Sequence, residues 1–238
     1  MRRSERNPAV EIVRVALGVV WLPFAWAAAA PAAALRRYRA SSAQPRLSAE
    51  RAGFDTRKWT PELLKRLEWR RFEELCAAYY EALGFRARLT HSRADGGVDI
   101  SLYAEASESA STIVHCKAWD AYRVGVNPLE ALRRAMAASR VRKGVLVTSG
   151  RFTREAVSFA AQENIQLIDG AGLLGKLAEL EPEKSLALLQ FTTQGDFLTP
   201  TCPCCSIKMI SRRSIKGGRK FWGCLNYPRC KQTFPGTA

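Results

Sequence analysis

Four cysteines near the carboxyl end are spaced as two pairs that could hold a metal ion. Cys202 and Cys205 form the first pair, eighteen residues follow, and Cys224 and Cys230 form the second. Two such pairs supply the four thiolates of a tetrahedral Zn²⁺ site. A segment this short buries too little surface to fold alone, so we expect bound zinc to supply its stability. Cys204 is a fifth thiol that is either spare or competes with Cys205.

A second group of reactive side chains lies in the middle of the chain. Residues 98–102 and 112–117 alternate in the manner of strands, so Asp99 points away from its apolar neighbours, and His115 and Lys117 share a face. If the two strands are antiparallel neighbours, these three side chains can meet. A carboxylate can hold Mg²⁺, and a lysine can orient an attacking hydroxide at a phosphate. The alternatives are that Asp99 caps a bulge and that Lys117 is a solvated charge.

The sequence predicts that helices and strands, largely in alternation, position these groups. Residues 69–83 place apolar side chains at spacings of three and four, which predicts a helix capped by Gly84, with Glu73 as the candidate second carboxylate. We expect further strands at 85–90, 144–149 and 165–168 and further helices at 128–139, 153–164 and 171–180. This order favours an α/β sheet covered on both faces.

Composition and charge narrow the class of protein. The chain has 238 residues, 37 Lys+Arg against 22 Asp+Glu, and a net charge of +15, which favours a polyanionic partner. Residues 60–180 are nearly balanced, with 17 basic and 15 acidic side chains, whereas eight basic and no acidic residues follow Asp196. The other two of the seven cysteines, Cys76 and Cys116, stand alone, which argues against a secreted disulfide scaffold.

An uncharged run of 21 residues at 15–35 is long enough to cross a bilayer core and has arginines on both sides. We read it as a transmembrane helix; a cleaved signal peptide and a soluble extension are the alternatives. The basic segments could also bind anionic lipid, in which case the protein would be a membrane-surface scaffold.

Residues 65–180 resemble the Mrr-like restriction endonucleases, a branch of the PD-(D/E)xK nuclease superfamily. The resemblance is carried, in order, by the segments WRRFEELCAAYYEALGF, SRADGGVDISL, IVHCKAW, KGVLVTSGRFTREAVSFA and IQLIDGAGLL. It implies a three-layer restriction-endonuclease-like fold with a mixed central sheet, with Asp99 and Glu73 as Mg²⁺ ligands and Lys117 as the catalytic lysine. His115 stands where this branch usually has Gln and the superfamily has an acid; a neutral imidazole can still bind metal or hydrogen-bond a metal-bound water.

The carboxyl-terminal segment resembles the four-cysteine zinc ribbons of type IA DNA topoisomerases, through CPCCSIKMISRRS followed by GGRKFWGCLNYPRCKQTF. Such modules bind single-stranded DNA. The side chains that could contact phosphates or stack on bases here are Lys216, Arg219, Lys220, Trp222 and Tyr227. Some of the aromatic side chains must instead form the small core of the ribbon.

These features together predict a membrane-tethered, Mg²⁺-dependent DNA endonuclease with a zinc ribbon that grips DNA. The predicted domains are an N-terminal segment at 1–38, a linker at 39–60, the nuclease at 61–182, a second linker at 183–198 and the ribbon at 199–238. The expected location is a bacterial-type inner membrane with the catalytic domain in the cytoplasm, and the expected partners are DNA, the membrane and, as an open option, a second copy in a homodimer. The main alternative is a membrane-anchored DNA-binding protein that has lost catalysis through His115.

Overall fold

The computed structural model describes residues 55–90, 98–105, 107–118, 123–214 and 217–236. The predicted transmembrane segment at 15–35, most of the predicted linker at 39–60, and Lys216 lie outside these ranges. In the part of the chain that is described, no helix has both the length and the apolar character needed to cross a bilayer.

The described residues form six helices and ten strands. The helices are α1 (Pro61–Arg66), α2 (Trp69–Ala82), α3 (Asn127–Ala138), α4 (Arg154–Gln162), α5 (Gly170–Ala178) and α6 (Pro182–Thr192). The strands are β1 (Arg86–Leu89), β2 (Ile100–Tyr103), β3 (Thr112–Lys117), β4 (Arg123–Val124), β5 (Lys143–Thr148), β6 (Arg151–Phe152), β7 (Ile165–Ile168), β8 (Ile210–Arg213), β9 (Lys220–Gly223) and β10 (Thr233–Pro235).

The central sheet is mixed, as predicted. Its five strands lie in the order β1-β2-β3-β5-β7. The first three are antiparallel to one another, and β3, β5 and β7 are parallel. Because β2 and β3 are antiparallel, the end of β3, with Lys117, lies at the same end of the sheet as the start of β2.

Helices cover both faces of this sheet and make three layers. On one face α1, α2, α5 and α6 pack over a core that includes Phe72, Ile100 and Val114. On the other face α3 and α4 pack over a smaller core that includes Ile113, Leu132 and Leu146. Because β3 contributes to both cores, its alternating side chains are buried on either side, and only Lys117 at its end is half-exposed.

Helix α2 is the element that carries Glu73 to the sheet. Its apolar face, predicted from spacings of three and four, is buried against β1, β2 and β3. Gly84 ends the helix with a φ of +92°, a conformation that a side chain would strain.

The segment at 183–198 differs from the predicted linker. Residues 182–192 form α6, which packs against α2 and buries Leu188, Leu189 and Phe191 in the core that contains Phe72. Phe197 follows and is fully buried in the same core. The chain therefore enters the carboxyl-terminal module directly from a packed surface rather than from an extended connection.

The carboxyl-terminal module is a three-stranded antiparallel sheet in the order β10-β9-β8. Its small core contains Cys202, Met209 and Cys224, with Trp222 and Phe234 packed against them. So little apolar surface agrees with the expectation that a metal ion would stabilise the module.

Candidate functional site

Asp99 lies immediately before β2, where the chain enters the sheet. Its backbone N–H donates to the carbonyl of Val114 at 3.2 Å, and its own carbonyl accepts from the N–H of Thr90 at 2.8 Å. Ile100 pairs with Val114, so Asp99 stands opposite His115 on the neighbouring antiparallel strand. The side chain reaches across to β3, where Oδ2 accepts the backbone N–H of Cys116 at 2.6 Å. The predicted pairing of Asp99 with His115 across adjacent strands agrees with this geometry.

The side chain of His115 is 6% exposed and lies against the same carboxylate. Its Nδ1 is 2.9 Å from Asp99 Oδ2, yet the direction is unsuitable for a hydrogen bond, so Nδ1 is buried without a hydrogen-bond partner in the described structure. A buried polar atom without a partner is costly, and a bound water or cation commonly supplies one. This atom therefore favours a further group at the site.

Lys117 ends β3 two residues beyond His115. Its backbone is held by β5, because its carbonyl accepts the hydroxyl of Thr148 at 2.9 Å and the N–H of Ser149 at 3.4 Å. The half-buried side chain is thus placed at the sheet edge by two strands, on the same side of β3 as His115.

Glu73 approaches from α2. Burial is the main cause that raises the pKa of this carboxyl to about 9, and the charges of Asp99 and Glu68 raise it further. The charges of Arg70 and Lys117 act in the opposite direction. Glu73 is therefore within electrostatic reach of both Asp99 and Lys117, and in the absence of a cation it holds a proton at neutral pH.

These residues fit a hard divalent cation held mainly by carboxylates and water. Mg²⁺ usually takes one or two protein carboxylates and keeps several waters. Two carboxyl groups whose charges oppose each other, beside the partnerless Nδ1 of His115, would be relieved by such an ion. Among the described residues, the carboxyl-terminal cysteines are the only group in which three or more His, Cys, Asp or Glu ligand atoms lie within 4.8 Å of one another. The ligand atoms of Glu73, Asp99 and His115 are therefore not yet gathered around one point.

The four cysteines Cys202, Cys205, Cys224 and Cys230 come together, with all sulfur atoms within 4.8 Å of one another. The Cys202 and Cys230 sulfurs are 3.7 Å apart. Zinc–sulfur bonds of about 2.3 Å in a tetrahedron would place the sulfurs about 3.8 Å apart. The geometry fits Zn²⁺, and the backbone N–H of Asn226 donates to the Cys224 sulfur at 3.4 Å. Cys204 is exposed and lies outside the cluster, as expected for a spare thiol.

The two aromatic candidates for DNA contact have different surroundings. Trp222 packs against the ribbon core, whereas Tyr227 is 60% exposed. The guanidinium of Arg212 lies 5.6 Å from the centre of the Tyr227 ring. Arg219 and Lys220 are exposed nearby in sequence. Tyr227 is therefore the better candidate for stacking, and Arg212 is an addition that sequence reasoning missed.

Sequence reasoning also missed Glu68. This N-cap residue of α2 is buried, and besides the Arg70 N–H its side-chain partners lie more than 130 residues later in the chain. No local pattern identifies them. The one feature of the sequence that could have drawn attention to Glu68 is its place at a helix N-cap, where glutamate is not among the preferred residues.

Two family models match two separate parts of the chain. Residues 64–177 match the family model described as restriction endonuclease, and residues 199–236 match the model described as topoisomerase DNA binding C4 zinc finger. The first match covers the described elements from α1 to α5, and the second covers the ribbon.

Individual relatives share only parts of the chain. DNA topoisomerase 1 of Pyrococcus horikoshii is 31% identical over 98 residues, which are 40% of this chain and 14% of that protein. The uncharacterized protein y4cE of Sinorhizobium fredii is 31% identical over 99 residues, 41% of this chain and 25% of that protein. The chain thus matches a quarter or less of the length of these relatives.

Two solved structures are similar at a low level. The protein of unknown function AF1548 has a TM-score of 0.39 at 15% identity and covers 45% of this chain and 64% of its own. The MspJI restriction endonuclease in complex with a 27-mer oligonucleotide has a TM-score of 0.33 at 24% identity. The match covers 56% of this chain and 34% of that protein.

Proposed function

Because residues 64–177 are a restriction endonuclease-like domain and residues 199–236 a topoisomerase-type zinc ribbon, we propose that this protein is a metal-dependent DNA endonuclease whose ribbon binds the DNA. The observation that supports cleavage most directly is the contact of Asp99 with β3. There its carboxylate meets the His115 imidazole, two residues before Lys117, and the backbone N–H of Cys116, and its charge acts on Glu73.

In this proposal each side chain has a separate task. Asp99 and Glu73 would hold Mg²⁺, which when bound lowers the pKa of a water ligand and offsets negative charge on the phosphate. Lys117 would orient the attacking hydroxide and stabilise the charge that develops on the phosphate oxygens. His115 would accept or donate a hydrogen bond through Nδ1 to a water at the site. The attacking water would lose one proton to solvent as its oxygen bonds to phosphorus; the bond to the leaving sugar oxygen would break, and that oxygen would take up a proton from solvent.

The ribbon would supply binding rather than chemistry. Arg219 and Lys220 carry charges suited to phosphates, and the exposed ring of Tyr227, backed by Arg212, offers a face on which a base can stack. Lys216, which lies outside the described residues, is proposed for the same role from sequence alone.

The cleavage proposal is tested by nicking of a supercoiled plasmid with Mg²⁺ or Mn²⁺. We expect Asp99→Ala and Lys117→Ala to reduce the nicking rate by about 100-fold or more, because each removes a group that acts at the reacting phosphate. Glu155→Gln, on the exposed first turn of α4, is the control and should nick at the wild-type rate. Equal nicking by all four proteins would contradict the proposal.

The alternative function is DNA binding without cleavage, and the presence of His115 in place of an acidic residue favours it. We expect His115→Gln, which introduces the residue usual in the related nucleases, to keep nicking within about tenfold, whereas His115→Leu removes every hydrogen-bonding atom and should lower it further. DNA binding by the wild type with no nicking in either cation, together with nicking gained in His115→Gln, would instead support the alternative.

Membrane attachment remains a proposal that depends on the uncharged run at 15–35 and its flanking arginines. It places the protein at a bacterial-type inner membrane with the catalytic domain in the cytoplasm. Fractionation of cells that express the full chain tests it, since a spanning helix would be released by detergent and not by high salt. Recovery in the supernatant without detergent would contradict the proposal.

A further inference from the structure

The zinc ribbon is fastened to the start of α2 through a buried carboxylate. Glu68 is 2% exposed, and its own helix supplies one hydrogen-bond donor, the Arg70 N–H at 3.1 Å. The other donors come from the ribbon: the N–H of Thr201 at 3.2 Å, the hydroxyl of Thr201 at 2.9 Å and the ammonium of Lys208 at 3.1 Å. A buried carboxylate is tolerated only with such partners, so the ribbon completes this part of the nuclease domain.

Both ribbon residues belong to the hairpin that carries the first cysteine pair. Thr201 precedes Cys202 directly and faces Lys208 across an isolated bridge. The Cys202 N–H donates to the Ile207 carbonyl at 2.8 Å, which closes the hairpin around Cys205. A zinc ion held by these cysteines would therefore also fix the donors that reach Glu68.

Helix α2 continues the connection from Glu68 to Glu73. Trp69, the first residue of the helix, donates its indole N–H to the Thr201 carbonyl at 2.7 Å. The Glu68 N–H donates to the carbonyl of Phe197, which is buried in the core. Glu73 lies five residues beyond Glu68, which is about 7.5 Å along the helix axis. The ribbon thus holds the turn that immediately precedes the carboxylate of the candidate site.

We propose that Glu68 is a positioning residue that couples zinc in the ribbon to the first turn of α2 and, through that turn, to the placement of Glu73. The part that concerns Glu73 as a metal ligand rests on the proposed nuclease function. The part that concerns the helix does not, because it follows from the contacts of Glu68, Trp69, Thr201 and Lys208.

The experiment compares the full-length protein with zinc bound and after removal of zinc by a chelator that is then dialysed away. Amide hydrogen exchange reports the first turn of α2, and Mn²⁺ titration at low temperature, where near-ultraviolet circular dichroism confirms folding, reports the candidate site. We expect zinc removal to speed exchange at residues 69–72 and to weaken Mn²⁺ binding by about tenfold, as for loss of a residue that supports a ligand. Glu68→Gln should produce both changes with zinc still bound.

Two controls separate coupling from a general loss of stability. Lys231→Met removes an exposed ribbon charge that is not a hydrogen-bond or ion-pair partner of Glu68, and Glu155→Gln changes an exposed glutamate in the first turn of α4; neither should alter exchange in α2 or Mn²⁺ binding. Visible absorption of Co²⁺ in the cysteine site checks that Glu68→Gln keeps a folded ribbon.

Each outcome decides one proposal. Unchanged exchange in α2 after zinc removal would overturn the coupling, whatever the protein does with DNA. Faster exchange in a wild type that binds no Mn²⁺ even with zinc would support the coupling and contradict the nuclease proposal. Mn²⁺ binding that is insensitive to zinc and to Glu68→Gln would overturn the extension of the coupling to Glu73.

Discussion

When several carboxyl groups are buried close together, they cannot all be ionised, and the pKa of Glu73 is raised for this reason. Burial and the neighbouring charges of Asp99 and Glu68 hold its pKa near 9, while Arg70 and Lys117 only partly offset them. A divalent cation would reverse this balance by favouring the ionised form. The protonation of Glu73 therefore provides a way to follow the site without DNA.

The pH dependence of stability follows from this shift. The ordinary pKa of the carboxyl is 4.5 and its pKa in the folded protein is about 9, so between these values the folded protein holds a proton that the unfolded chain has released. We expect the free energy of unfolding to fall as pH rises from 6 to 9, by up to about 1.4 kcal/mol per pH unit. Urea unfolding of zinc-loaded protein without added Mg²⁺ measures it.

Glu73→Gln carries no ionisable group at this position and should flatten that slope, whereas Glu155→Gln, at an exposed position, should keep it. If the Glu73→Gln protein and the wild type lose stability in parallel across this range, Glu73 is not the group responsible.

Among the elements, α5 shows how closely helix and sheet approach beside the site. A Cβ at Gly170 would lie 2.5 Å from the Ser149 carbonyl oxygen, which is backbone and cannot move aside like a flexible side chain. Gly175, in the same helix, has no atom within 4 Å of its Cβ position. One helix therefore contains a glycine required by packing and a glycine that packing does not require.

Alanine substitutions should separate these two glycines. We expect Gly170→Ala to lower the free energy of unfolding by about 1 to 3 kcal/mol, since the strand end or the helix must shift. Gly175→Ala should raise it by about 0.5 to 1 kcal/mol, because alanine restricts the unfolded chain and favours the helix. Urea unfolding of both variants measures the difference, and a similar loss in both would show that α5 packs differently.

The sequence predicts the elements best where periodicity and burial agree. Residues 112–117 place alternate side chains on two faces and form β3 at the predicted bounds, and the spacing in 69–83 predicts α2 to within a residue. The position of Asp99 opposite His115 follows from the same alternation. The sequence does not predict the helix at 182–192, because its five apolar side chains, at 186–189 and 191, run together instead of recurring at spacings of three and four; packing against α2 stabilises it.

At the scale of the whole molecule, the location of the positive charge determines what can be inferred about binding. Residues 60–180 are nearly neutral, whereas the last 42 residues carry eight basic and no acidic side chains. DNA affinity should therefore depend on salt mainly through the ribbon, because each neutralised phosphate releases bound counterions.

Replacement of Arg219 and Lys220 by alanine should make the dependence of log affinity on log salt less steep by about 1.4 to 1.8, that is, by two phosphate contacts. Fluorescence anisotropy with a labelled oligonucleotide between 50 and 200 mM salt measures the slope. Lys143→Ala is the control and should leave the slope unchanged, because Lys143 begins β5 and so lies at the opposite end of the sheet from Lys117. A slope that responds to Lys143 and not to the ribbon pair would place the DNA elsewhere.

The anchoring of the ribbon at Glu68 also bears on the geometry of any cut. If the ribbon were joined by a flexible linker, the distance along the DNA between the nucleotide it binds and the bond that is cleaved would vary, and digestion would yield fragments of varied length. Under the proposed function, the hydrogen bonds of Glu68 to Thr201 and Lys208 would hold the DNA-binding surface of the ribbon at a fixed distance from Asp99 and Glu73, so cleavage would fall at a constant distance from the bound nucleotide.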